Sequence, residues 1–150
     1  MINTNPIDCP YYLISRVTLF VTSSLKRGFS DAGVNSIKPA YLGVLMTLWR
    51  DDGLKVIDLG RKSGLEPSTM TGLLDRMERD ELLYREADSL DRRVQRIYLT
   101  ATGREVKTPV LQVVHEVLAD VFKGIDEKEI RNTKNTLQRV LTNAQEGNRG

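Results

Sequence analysis

The sequence contains one cysteine, Cys9, and one histidine, His115, in 150 residues. A lone thiol excludes an internal disulfide. One imidazole and one thiol are also too few for a zinc site of the usual nitrogen and sulfur donors, so no metal and no cofactor are expected. His115 reads as a helix-surface or dimer-interface residue. No apolar run reaches the ~18 residues of a membrane-spanning helix. The opening residues lack the basic-then-apolar layout of a secretory leader. These features together lead to the expectation of a cytoplasmic protein without membrane contact. No glycine-rich phosphate loop is present and no nucleophile is paired with a base, so an enzyme is not expected. The net charge is only +2, so a nucleic-acid binder of this kind would have to concentrate its positive charge locally.

Hydrophobic residues make up 40% of the chain, enough for a globular core and against global disorder. The length suits a single domain over residues 1–150. Residues 1–9 read as a loose arm. From Tyr11, the apolar residues Leu13, Val17, Phe20, Val21 and Leu25 recur at helical spacing, with Gly28 and Gly33 at the end. A second helix follows Ser36 and Pro39, with an apolar face of Tyr41, Leu42, Leu45, Leu48 and Trp49, closed by Asp52-Gly53. A short third helix covers about 55–62, with Leu59 inward and Gly64 as its stop. The fourth opens at Glu66-Pro67, because proline is tolerated in a first turn. Its buried stripe is Met70, Leu73, Leu74 and Met77. Its other side carries Ser68, Thr69, Thr71, Gly72, Arg76 and Arg79.

Residues 82–87 and 95–100 then read as two strands of a hairpin. Thr100 caps a long helix with the stripe Val106, Val110, Val113, Val114, Val117, Leu118 and Val121. Pro109 predicts a kink in it, and Gly124 ends it. The last helix has Asp126 as cap, Glu129 completing a capping box, and Ile125 placed to staple onto Ile130. Its stripe is Ile130, Leu137, Val140 and Leu141, and the tail from Gln145 is expected to fray.

A short helix, a turn, a second helix and then a basic hairpin is the order of a winged helix-turn-helix. Small hydroxylic residues at the start of the second helix, Ser68, Thr69 and Thr71, allow close approach to a major groove about 12 Å wide. Arg76 lies further along, where the helix passes phosphates, although it could instead pair with Asp80 at i+4. The hairpin tip, "DSLDRRVQR", crowds Arg92, Arg93 and Arg96 together. An arginine held beyond the body of the domain suits a minor groove. Asp91 would repel phosphate unless it is engaged. Pairing with Arg93 would stiffen the turn and leave Arg92 pointing outward.

These segments resemble the MarR family of bacterial transcriptional regulators. "DRRVQRIYLTATG" is similar to its wing, "PSTMTGLLDRMERDELLYRE" to its recognition helix and first wing strand, and "GLKVIDLGRKSGL" to its lead-in. The resemblance spans roughly residues 13–142. It implies a mainly α fold with a small β-hairpin wing. The winged helix-turn-helix lobe would cover about 36–100, and a helical dimerisation layer would be formed by about 10–32 and 101–145. It implies a homodimer on double-stranded DNA at a pseudo-palindromic operator, and a repressor released by a small lipophilic or aromatic anionic effector. Three positions depart from the family pattern. Glu81 stands where glycine is usual, so the turn there is expected to differ. Lys55 replaces a hydroxylic helix cap, and Gly72 replaces a longer side chain.

The expected DNA-binding residues are therefore Ser68, Thr69, Thr71, Arg76, Arg92 and Arg93, with Asp91 bracing the wing. The effector-pocket residues cannot be read from the sequence. Two alternatives stand beside this reading: a winged-helix module that docks proteins, and a redox-sensing regulator that uses Cys9.

Overall fold

The computed structural model describes residues 3–149. A 3₁₀ turn over Pro6–Asp8 leads into helix α1, Pro10–Asp31. A second 3₁₀ turn, Pro39–Tyr41, runs into α2, Leu42–Arg50. Then come β1, Leu54–Lys55, α3, Val56–Ser63, and α4, Pro67–Arg79. Strands β2, Leu83–Ala87, and β3, Gln95–Leu99, form the hairpin. Helices α5, Ala101–Glu105, α6, Lys107–Val121, and α7, Glu127–Gly147, complete the described chain. The fold is mainly helical with a small antiparallel wing, as the residue patterns predict. The chain divides between Val117 and Leu118 into two compact units.

In the first unit, the core gathers around Phe29, Tyr41, Leu45, Leu48, Leu59, Met70, Leu74, Met77, Leu83 and Ile97. It sits beneath α4 and the inner face of the sheet, so the core stripe of α4 is the predicted one. Of α1, only Leu25 and Phe29 are fully buried, whereas Leu13, Val17 and Phe20 remain about half exposed. Its predicted stripe therefore serves the lobe core only at its C-terminal end. In the second unit, α7 is capped by Asp126, whose Oδ1 accepts from the Glu129 N–H at 2.9 Å. No described bond returns from the Glu129 carboxylate, so only half of the capping box forms. The helix continues past Gln145 to Gly147 rather than fraying there.

The sheet has three strands in the order β1-β3-β2. The sequence suggests only the hairpin, because a two-residue strand leaves no alternation to read. Leu54 lies opposite Ile97, and Leu83 lies opposite Leu99. The predicted long helix is broken at Val106. Pro109 has no N–H to offer the Glu105 carbonyl, four residues back, so the ladder lapses there. It resumes with the Val110 N–H donating to Val106 at 3.0 Å.

The turn after α4 also departs from expectation. Glu81 keeps the left-handed conformation that glycine would take, with φ of 59°. The Leu82 N–H donates to the Met77 carbonyl and the Glu81 N–H to the Glu78 carbonyl, both at 3.0 Å. This is the paired bonding of a Schellman turn. The Thr100 hydroxyl donates to the Glu81 carbonyl at 2.6 Å and accepts from the Gly103 N–H at 3.0 Å. The turn is thus held from both sides, and glutamate is forced into it. A left-handed backbone costs a residue with a Cβ about 1–2 kcal/mol, and glycine would return part of that through its freer unfolded chain. Glu81→Gly is therefore expected to raise stability by about 0.5–1 kcal/mol. Urea denaturation checks this: the midpoint should rise with the slope unchanged.

Candidate nucleic-acid interface

Helix α4 presents one face to solvent because the opposite face is consumed by Met70, Leu73, Leu74 and Met77. Ser68, Thr69, Thr71 and Arg76 are all exposed on the solvent face. The Thr71 hydroxyl makes only a long bond to its own helix, to the Pro67 carbonyl at 3.4 Å. Arg76 forms no ion pair among the described residues. Its i+4 neighbour Asp80 is instead engaged by Tyr41, whose hydroxyl donates to Asp80 Oδ2 at 2.6 Å. The structure thus brings the four α4 residues onto one surface and leaves Arg76 available.

At the wing, the three arginines have three different fates. The Arg96 Nε donates to Asp88 Oδ1 at 2.5 Å, and its Nη1 donates to the Gly53 carbonyl at 2.8 Å. Arg93 closes on Asp91: its Nε and Nη2 reach the two carboxylate oxygens, each at 3.1 Å. Arg92 is exposed and has no hydrogen bond or ion pair among the described residues. The predicted Asp91–Arg93 pair is present, and it leaves Arg92 as the uncommitted cation of the tip.

Asp88 is the residue that sequence reasoning missed. It is 5% exposed, the one buried charged side chain among the described residues. Its Oδ2 accepts from the N–H groups of Leu90 and Asp91 at 3.2 and 3.1 Å. Its own N–H donates to the Val94 carbonyl at 2.8 Å. The Arg96 hydrogen bond holds its carboxyl below the usual carboxylate range against the opposing effect of burial. An aspartate opening a turn and bonding two residues ahead is a known local pattern, so a signal was present. Its tie to Arg96 follows from the hairpin register, which the sequence alone does not fix.

One further link joins the wing to α4, and a second braces the sheet itself. Arg85, on β2, reaches back to α4 and pairs with Asp75 at 2.7 Å and Glu78 at 3.0 Å. Tyr84 and Tyr98, directly opposite in register, stack at 5.6 Å between ring centroids. Gly53 has a positive φ of 73°, and a Cβ there would lie 2.6 Å from the Tyr98 ring. Glycine is therefore required at this crossing on two counts. Lys55 begins α3 without a side-chain cap bond, and a Cβ at Gly72 would come into ordinary contact with the Arg76 guanidinium, 3.7 Å away. Cys9 is exposed and directly precedes α1, and His115 is exposed on α6. An open depression lies along α2 and α3, lined by Met46, Thr47, Arg50, Asp51 and Lys62. Within it Lys62 pairs with Asp51 at 2.8 Å.

Known proteins share this arrangement. The profile of the MarR family matches residues 37–94. The HTH-type transcriptional regulator YsmB of Bacillus subtilis, itself described as uncharacterized, is 33% identical over 102 residues. That match covers 68% of this chain and 69% of YsmB. The HTH-type transcriptional regulator TtmR of Methylorubrum extorquens is 36% identical over 90 residues, 60% of this chain but only 46% of TtmR's length. Among solved structures, CouR from Rhodococcus jostii RHA1, bound to p-coumaroyl-CoA, superposes with a TM-score of 0.76 at 25% identity. The superposition covers 93% of this chain and 96% of CouR.

The Tyr41–Asp80 bond gives a pH signature. Burial, then the hydrogen bond to Asp80, push the Tyr41 hydroxyl up to about 12 from 10.0. The folded-state value lies above the unfolded one. Its contribution to stability is therefore complete below pH 10 and is lost as pH rises through the window to about 12. Tyr41→Phe keeps the ring and removes the bond. It should lower stability at neutral pH by about 1–2 kcal/mol and flatten the alkaline decline in that window. Denaturant titrations at stepped pH would show both effects. An equally steep decline in the variant would place the cause elsewhere.

Proposed function

This chain belongs to the MarR family of transcriptional regulators, and on that premise we propose that it represses transcription by binding operator DNA as a cytoplasmic homodimer until a small molecule releases it. Members of the family are regulators rather than enzymes. The reading places Ser68, Thr69, Thr71 and Arg76 at the major groove and its phosphates. Arg92 enters the minor groove, and Arg93, while bound to Asp91, lies near the backbone.

The observation that carries this reading is the state of Arg92. Two of the three wing arginines are committed to carboxylates, and Arg92 is left exposed and without a partner among the described residues. A free guanidinium on a braced turn is an arrangement that phosphate and minor-groove potential reward. The exposed hydroxyls of α4 fit the same partner, because a recognition helix contacts base edges with its N-terminal residues.

Dimerisation is supported by apolar surface that this chain leaves in water. Leu13, Val17 and Phe20 of α1 and Leu137, Val140 and Leu141 of α7 are each 44–61% exposed. Burying such surface gains about 25 cal/mol per Å², and two-fold pairing is the commonest way to do it. A two-fold dimer would set its lobes on half-sites about one helical turn, ~34 Å, apart. The structure of CouR holds p-coumaroyl-CoA, an aromatic acyl thioester with anionic phosphates. By analogy, we assign to this chain a lipophilic or aromatic anionic effector. Such an effector favours release only through unequal affinity for the DNA-competent and released forms.

Arg92→Ala tests the reading. Its operator affinity should fall about tenfold or more at fixed salt, because a minor-groove cation is lost from each lobe. The dependence of affinity on salt should become shallower, while melting and dimer mass stay unchanged. A variant that holds the operator as tightly as the parent at the same salt would remove Arg92 from the interface.

A further inference from the structure

We propose that Leu90 is a DNA-contacting residue that packs its side chain against the deoxyribose walls of the minor groove beside Arg92. The inference rests on the operator-binding reading above and adds to it an apolar contact at the wing tip.

Leu90 is 95% exposed, the most exposed large hydrophobic side chain among the described residues. Its neighbours in the turn, Ser89, Asp91, Arg92 and Arg93, are polar, and among the described residues it belongs to no apolar cluster. Nor does it sit on a slack loop. Its own N–H and that of Asp91 are both held by Asp88 Oδ2, and the Val94 N–H donates to the Asp91 carbonyl at 2.9 Å. The backbone on either side of Leu90 is thus fixed, and the fixed turn directs a branched aliphatic group away from the body.

The charge around it identifies the partner. Asp88 and Asp91 are each bound by an arginine, Arg96 and Arg93. Arg92, two residues from Leu90, is the cation left over. A leucine beside a single free guanidinium suits a surface that alternates apolar patches with anionic groups. The minor groove is such a surface: the C–H faces of its sugars line a channel about 6 Å wide between two rows of phosphates. Aliphatic side chains are used in this way by other minor-groove proteins. Leu90 then supplies contact area without charge, while Arg92 supplies the charge.

The test compares the full-length parent with Leu90→Ser, Leu90→Met and Arg92→Ala on the duplex recovered by selection from a random pool, over a salt series. Melting and sedimentation of each protein are followed in parallel. Leu90→Ser should bind about tenfold more weakly, as expected for an apolar side chain withdrawn from each lobe, with the salt slope of the parent. Leu90→Met, which keeps apolar volume, should stay within about twofold. Both should melt like the parent and sediment with its mass. Parental affinity in Leu90→Ser, with Arg92→Ala weakened, would overturn this inference and leave operator binding standing. A change of mass in Leu90→Ser would make Leu90 a protein contact and overturn it as well. A parent with no salt-dependent affinity for any duplex would overturn the inference and the reading beneath it together.

Discussion

The buried carboxylate of Asp88 organises the wing. A charge removed from water must be paired and hydrogen-bonded or it destabilises the fold. Asp88 meets that demand with two backbone N–H groups of the tip turn and the Arg96 guanidinium. The same guanidinium bonds the Gly53 carbonyl just ahead of β1. One carboxylate therefore connects the turn, the returning strand β3 and the edge of the lobe. The fixed backbone on which Leu90 and Arg92 stand depends on it, because its Oδ2 holds the Leu90 and Asp91 N–H groups. Arg96 is consumed in the process and Arg93 is taken by Asp91, so a tip rich in arginine offers a single uncommitted one.

Helix α4 is fastened just as deliberately. Its C-terminal end is tied to the start of α2 through Tyr41 and Asp80, and to β3 and α5 through the Schellman turn at Glu81 and the Thr100 hydroxyl. Its flank is clipped to β2 by Arg85. Helix and wing consequently share one rigid frame, and contacts of this kind hold groups in position before any ligand arrives. The strained glutamate is tolerated because bonds on both sides over-determine its conformation.

Much of this was legible in the residues. The apolar spacing of Met70, Leu73, Leu74 and Met77 and the alternation of Ile97 and Leu99 are strong periodic signals, and the structure buries all six side chains. Asp91 and Arg93 pair because they are neighbours along the chain, which a sequence displays directly. What escaped notice depends on distance along the chain. Strand β1 exists because Leu54 meets Ile97, the Tyr41–Asp80 bond spans 39 positions, and Arg96 finds Gly53 only after β3 has paired. The turn at Glu81 departs from its sequence expectation for a related reason. Propensity alone argues against its conformation, whereas the deciding bond comes from Thr100 on a later segment. Pro109 disrupts the long helix, as its missing N–H predicts, but it breaks it at Val106 instead of bending one continuous helix.

The Arg85 clip has a bearing on how this surface reads to a polyanion. Asp75 and Glu78 are both exposed on α4, and unmasked they would repel a polyanion. Arg85 reaches both carboxylates from β2 and cancels part of their field. A neutral residue at that one strand position would leave both carboxylates uncompensated together, so part of the charge that α4 shows is set by a side chain on a different element.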